Sequence, residues 1–344
     1  MADEKSVWST YDDKDKEALE ALSAGYIDFL SDCKTERESV KFAIAAAEAA
    51  GYKNLASLIG GRKKLKAGDK VYSVCMKKSI ALFNIGKEPL TNGMNILGAH
   101  NDTCSLHVKQ KPIYEDANLC LLDTHYYGGI KKYQWVALPL ALHGVVVKKD
   151  GSIIDICIGE EANDPVFCVT DLLPHLAQEQ MEKKGSVVVE GEALDVLCGN
   201  YPLTKEDKES VKENVLALLK EKYNIEEADF LSAELIFVPA GRARELGFDR
   251  SMVLAYGQDD RVCSYTSLVA MLETKKVNRT ACCLLVDKEE IGSVGATGMQ
   301  SRFFENAVAE VLNLMGETSE LAVRRTLANS KMLSSDVSSA YDPL

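Results

Sequence analysis

The stretch Ala281-Cys282-Cys283-Leu284-Leu285-Val286-Asp287-Lys288-Glu289-Glu290-Ile291-Gly292-Ser293 decides the fold. Its first six residues are an apolar run that reads as a strand buried on both faces, the form strands take in a parallel sheet. Two adjacent carboxylates and a glycine come next, which places both acids at the carboxyl end of that strand, in the crevice where open α/β sheets bind ligands. Of two neighbouring acids there, one can bind a metal and the other can take a proton from water. A solvated acidic turn is the competing reading of an isolated Glu-Glu pair. The rest of the chain decides between them.

Outward from this stretch, further strand ends carry polar side chains of the same kind. The run from Met94 to Ala99 reads as a strand ending in His100-Asn101-Asp102, where one ring nitrogen of His100 can meet a metal while a carboxylate holds the other. Met252 to Tyr256 reads as a strand followed by Gln258-Asp259-Asp260-Arg261 and a helix, with at least one of the two aspartates expected as a helix cap. Lys331-Met332-Leu333 reads as a short strand before Ser334-Ser335-Asp336. His100, Asp259, Glu289 with Glu290, and Asp336 thus sit at four successive strand ends.

The remaining sequence supplies the frame. Asp12 to Leu30 forms one amphipathic pattern with Asp12 or Asp13 as cap, and Thr35-Glu36-Arg37-Glu38 has capping-box form ahead of an alanine-rich helix stopping at Gly51. Strands are expected at Val71–Cys75 and Ser79–Ile85. From about Ser105 to Phe248 the pattern changes: a Tyr126-Tyr127-Gly128-Gly129 segment is followed by a hairpin signal at Asp150-Gly151, between Val145–Val147 and Ile153–Cys157. This reads as an insertion with its own sheet. Within it, Thr170 to His175 is an expected helix start, Thr204-Lys205-Glu206-Asp207 opens a helix to Tyr223, and Leu235 to Val238 is a strand.

Composition bounds the function classes. A chain of 344 residues, 46% hydrophobic, holds one large core or two domains. Its net charge of -12, from 40 basic and 52 acidic residues, and its lack of a basic block beyond Arg62-Lys63-Lys64-Leu65-Lys66 argue against nucleic acid as partner. The polar, acidic start at Met1 has no signal-peptide pattern, no apolar run reaches membrane-spanning length, and the ten cysteines include no Cys-x-x-Cys pair. A cytoplasmic protein away from membranes is expected.

Taken together, Gly98-Ala99-His100-x-Asp102, Leu122-Asp123-Thr124-His125-Tyr126-Tyr127-Gly128-Gly129, Leu173-Pro174-His175-Leu176, Gln258-Asp259-Asp260-Arg261, the Asp287 to Ser293 stretch and Ser334-Ser335-Asp336 resemble the M18 metalloaminopeptidases, some of which are called aspartyl aminopeptidases. The resemblance spans nearly the whole chain. It implies a three-layer α/β/α, phosphorylase/hydrolase-like core made of residues 1–104 and 249–344, interrupted by a mainly β dimerisation domain over 105–248. It implies two zinc ions per site: His100 on one, Asp259 bridging, Glu290 on one, Asp336 on the other, with Glu289 as general base and Asp102 orienting His100. His175 is implied to stabilise the tetrahedral intermediate, across a subunit boundary in a homo-oligomer. Two zinc ions roughly 3.5–4 Å apart suit peptide hydrolysis, and the implied substrates are short peptides, acidic amino-terminal residues among them.

Three departures from the family pattern bear on that expectation. Thr103-Cys104-Ser105 stands where the family commonly has Ser-Pro-Arg, which alters the shape or charge of the neighbouring pocket. Ser339 and Asp342 come after Asp336 where many members have histidines. The family also continues for roughly another hundred residues, with a second terminal histidine ligand, whereas no histidine follows His175 here. On that implication the second ion is held weakly, and a catalytically silent assembly or binding subunit stands as the alternative. The related M42 peptidases fit less well, because the Tyr-Tyr-Gly-Gly and Leu-Pro-His segments match M18.

Overall fold

The computed structural model describes residues 6–62, 64–204 and 208–340. Helix α1 (Asp13–Asp32) begins at Asp12, whose side chain accepts from the amides of Lys14 and Asp15, and α2 (Glu36–Ala49) begins with the expected reciprocal Thr35/Glu38 box. Strands β1 (Lys53–Asn54), β2 (Lys70–Cys75), β3 (Ser79–Asn84) and β4 (Asn95–His100) come next. The chain then runs through β5 (Ser105–Asp116), β6 (Leu119–Tyr127), β7 (Leu140–Val147), β8 (Ile153–Ile158), α3 (Gln178–Met181), β9 (Val196–Gly199), α4 (Ser210–Tyr223) and β10 (Ala233–Pro239). It closes with β11 (Arg244–Leu246), β12 (Met252–Leu254), α5 (Gln258–Glu273), β13 (Ala281–Val286), α6 (Phe303–Met315), α7 (Glu320–Asn329) and β14 (Lys331–Ser334).

The first sheet has the order β1-β2-β3-β13-β4-β14, and β13 lies parallel to β4, as β14 does on the other side. Alternation along β13 explains why it is apolar throughout. Cys282 and Leu284 face α6 and α7 through Phe304, Val308 and Val311, whereas Cys283 and Leu285 face α2 and α5 through Val40, Ala43, Leu268 and Met271. A strand covered by helices on both sides has no polar face, and the result is a three-layer α/β/α unit. At 25 cal/mol per Å², burying a leucine here contributes roughly 1.5–3 kcal/mol.

The second sheet, β8-β7-β10-β5-β6-β9, is antiparallel throughout and draws all its strands from residues 105–239. The hairpin at Asp150-Gly151 pairs Val147 with Ile153. Its core holds Leu106, Leu122, Leu142, Phe237 and, from α4, Val211.

Several elements differ from expectation. The strand ending at Leu254 joins only β11, in a separate two-stranded ladder, so it is not part of the parallel sheet. Only a four-residue helix forms after Thr170-His175, beginning at Gln178, and α4 begins at Ser210; Lys205, Glu206 and Asp207 lie outside the described residues. Among the described residues no helix is long and apolar enough to cross a membrane.

Candidate metal centre

The register of three adjacent parallel strands builds the site. Val286 of β13 pairs with His100 of β4, and Ser334 of β14 pairs with Gly98, so the segments leaving the three strands emerge at one edge. His100 closes β4, Glu289 and Glu290 lie three and four residues past β13, and Asp336 lies two past β14. Asp259 arrives differently, from the loop that opens α5. There the Asp259–Asp260 peptide is cis, Asp259 and Asp260 have non-helical backbone angles, and no side chain caps the start. The expected capping role therefore fails for both aspartates. Gly257, at φ +78, is needed at this entry, since a Cβ would lie 2.0 Å from Nη1 of the buried Arg261. Ser264 of α5 donates to the His100 carbonyl at 2.6 Å, holding the helix against β4.

His100 is buried and oriented. Its Nδ1 lies 3.0 Å from the Asp102 carbonyl oxygen and 3.3 Å from Oδ1 of the same residue. Nε2 then faces three carboxylates: Asp259 at 3.2 Å, Glu289 at 3.7 Å and Asp336 at 3.9 Å. Burial works against a charged ring, but the Asp102 hydrogen bond and charge, with Asp260 and Glu289, outweigh it and raise the pKa to about 9. Asp102 is held below its usual range: burial pushes it up, and the His100 and Tyr127 hydrogen bonds more than offset that.

Glu289 and Glu290 sit in a single tight turn entered through Lys288 at φ 73 and left through Gly292 at φ 89. Their amides donate to Asp102 Oδ1 and Oδ2, each at 3.2 Å. The Glu290 carboxylate accepts from the Cys104 thiol at 3.2 Å; burial foremost, with the charges of Asp259 and Asp102, raises its pKa. Burial and the same contact push the Cys104 thiol up to about 12.

The residues brought together are therefore His100, Asp102, Asp259, Glu289, Glu290 and Asp336. His175 lies in an exposed turn and takes no part in this cluster's hydrogen bonds or ion pairs. Two residues went unassigned from the sequence. Asp260 is fully buried, no donor meets its carboxylate oxygens in good hydrogen-bond geometry although the Cys263 thiol and the His100 backbone lie beside it, and burial above all pushes its pKa up to about 6. With His100 and Asp336 it forms a set of three possible ligands whose donor atoms lie within 4.8 Å of one another. Its signal was present in the Asp-Asp pair, but pattern alone does not say which aspartate faces inward. Tyr127 is the other, and nothing in its spacing marks it as a neighbour of Asp102.

These side chains fit a hard or borderline divalent cation. A buried imidazole nitrogen turned to several carboxylates, and a buried carboxylate without a donor in good geometry, form a nitrogen/oxygen donor set that zinc accepts. Beside His100 a cleft of about 210 Å³ is lined by Glu289, Met299, Met332 and Asp336 among others.

Comparison with known proteins gives the family. Residues 29–344 match the family model described as aminopeptidase I zinc metalloprotease (M18). The chain is 57% identical over 340 residues to a probable M18 family aminopeptidase 1 of Clostridium acetobutylicum, covering 98% of this chain and 73% of that protein. The crystal structure of an M18 aminopeptidase from Thermotoga maritima superposes with a TM-score of 0.92 at 42% identity, over 100% of this chain and 74% of that one. The mApe1 dodecamer of S. cerevisiae shares the fold at a TM-score of 0.72 and 20% identity, over 95% of this chain and 74% of that one. The chain belongs to the M18 family of zinc metalloproteases and is a metalloaminopeptidase.

Proposed function

We propose that His100, Asp259, Glu290 and Asp336 hold two zinc ions, with Asp260 as a further donor, and that Glu289 is the general base of peptide hydrolysis. The observation that carries this reading is the convergence of Asp259, Glu289 and Asp336 on Nε2 of an imidazole whose Nδ1 faces Asp102. When bound, zinc supplies Lewis acidity and lowers the pKa of water. Glu289, half-exposed and without a hydrogen bond to its own carboxylate among the described residues, is free to accept the proton of the attacking water and return it to the leaving amine. The surrounding carboxylates attract the substrate's terminal ammonium group.

The proposed substrates are short peptides, acidic amino-terminal residues among them. Residues 105–248 act as a separate unit in assembly, supported by a sheet drawn wholly from that segment. The exposed Leu172, Leu173 and Leu176 around His175 offer apolar surface to a second copy, which would give His175 its role across the boundary. The cytoplasm is the proposed compartment, where thiols such as Cys120 and Cys198, 3.5 Å apart, stay reduced.

Zinc stoichiometry tests the ligand assignment. Asp259→Ala is expected to lower zinc per chain and rate together, because Asp259 would be one of the residues that hold the zinc. Unchanged zinc in that variant would remove Asp259 from the ligand set.

A further inference from the structure

Asp102 is satisfied from three directions. Oδ1 lies 3.3 Å from His100 Nδ1 and accepts from the Glu289 amide at 3.2 Å, while Oδ2 accepts from the Glu290 amide at 3.2 Å and from the Tyr127 hydroxyl at 2.6 Å. A carboxylate has about four lone-pair sites; three here accept hydrogen bonds, and the His100 Nδ1, shared with the Asp102 carbonyl, faces the fourth. Three of the donors belong to the edge of the first sheet. The fourth, Tyr127, is the last residue of β6 and belongs to the second.

The tyrosine ring is itself pinned. His107 of β5 stacks on it with centroids 4.7 Å apart and planes 12° from parallel, and the Lys288 ammonium sits 5.0 Å from the ring centre on the residue just before Glu289. Both Tyr127 and Asp102 are buried, so a lost hydroxyl is not replaced by bulk water.

We infer that Tyr127 is a positioning residue for the metal site, tying the second sheet to Asp102 and, through that carboxylate, setting the His100 ring and the backbone of Glu289 and Glu290. This rests on the metal-centre reading under Proposed function. Groups hydrogen-bonded to a metal ligand fix its orientation, and their loss costs about 10–100-fold in metal affinity or activity; Tyr127 acts through such a group, so the low end of that range is expected.

The test uses the full chain and Co²⁺ as a spectroscopic probe, so it does not depend on turnover. Tyr127→Phe keeps the ring and removes only the hydroxyl. It is expected to melt within a few degrees of the parent, to bind Co²⁺ about 10-fold or more weakly with an altered visible absorption band, and to lower kcat while KM stays within about twofold. Tyr114→Phe, which removes the bond from another tyrosine of the second sheet to Asp195, should leave all of these unchanged. In an Asp102→Ala background the Tyr127→Phe change should add less than about twofold, because its acceptor is already gone. Co²⁺ affinity within twofold of the parent, a fully additive double variant, or general unfolding of Tyr127→Phe would each overturn the inference. His100→Ala separates the two levels: if it binds Co²⁺ as the parent does, the metal-centre reading fails, whereas loss of Co²⁺ there with a normal Tyr127→Phe sinks only the role of Tyr127.

Discussion

At the scale of single residues, the site depends on close approaches that leave no room for change. Gly128 has φ +78, and a Cβ there would lie 2.6 Å from Cys104 Sγ and 3.1 Å from Glu290 Oε2. Gly128→Ala should therefore cost about 1–2 kcal/mol from the backbone alone and displace Glu290 as well. Thermal melting and zinc retention against a weak chelator should both fall; a variant unchanged in both would mean that the turn relaxes freely. The glycine was visible in the sequence as part of Tyr-Tyr-Gly-Gly, but its purpose was not, because Cys104 and Glu290 reach it from distant parts of the chain. His100, Asp259, Glu290 and Asp336 were legible as possible ligand types at element ends, and Glu289 as an acid beside them. The inward turn of Asp260 was not, since adjacent aspartates look alike until the backbone between them is known.

At the scale of elements, capping was the most readable feature and also did more than the local pattern shows. Glu38, which completes the box at the start of α2, also meets His143 Nδ1 of β7 at 2.8 Å, while His143 Nε2 lies 3.0 Å from Glu160 and Lys34 Nζ donates to the same Glu160 oxygen at 2.6 Å. Two positive and two negative groups thus join the first sheet's helices to the second sheet. Burial opposes charge on His143 most strongly, but the Cys157 thiol and the Glu160 and Glu38 carboxylates outweigh it and carry its pKa up to about 11. A histidine raised in this way contributes its full stability below its unfolded value of 6.5 and loses it as pH climbs to about 11. Glu38 and Glu160 are held below 4.5 by His143 and their other donors in spite of burial, so their contribution is present above 4.5 and lost as pH falls through the folded values. Stability against denaturant should peak between these limits. His143→Gln should lose about 3 kcal/mol near pH 6 and show a flatter alkaline limb; an alkaline limb identical to the parent's would assign the pH dependence elsewhere. By contrast, the strand leading to Asp259 was misplaced, because its short apolar run pairs with β11 and periodicity carries no information about partners.

For the whole molecule, the apolar run of β13 made a strand buried on both faces legible, the three-layer core followed from the family resemblance, and the hairpin at Asp150-Gly151 marked the second sheet. The pattern of residues could not say where the sheet stays open. Cys282 to Leu285 and Phe304 are buried, and β1 and β14 are the two edges of the first sheet among the described residues, with Leu333 of β14 63% exposed. An exposed apolar edge strand invites pairing with another chain. Leu333→Lys should therefore reduce concentration-dependent association in sedimentation velocity, and an unchanged distribution would clear β14 of that role. Relatives named as M18 aminopeptidases and an intact acidic cluster favour catalysis over a silent assembly subunit. The most direct measurement of that claim is zinc per chain alongside peptide hydrolysis in Glu289→Gln, which keeps the shape of the side chain but cannot take up a proton. The account predicts parental zinc content with hydrolysis lowered by about 10²–10⁴-fold; parental zinc with parental turnover would contradict it.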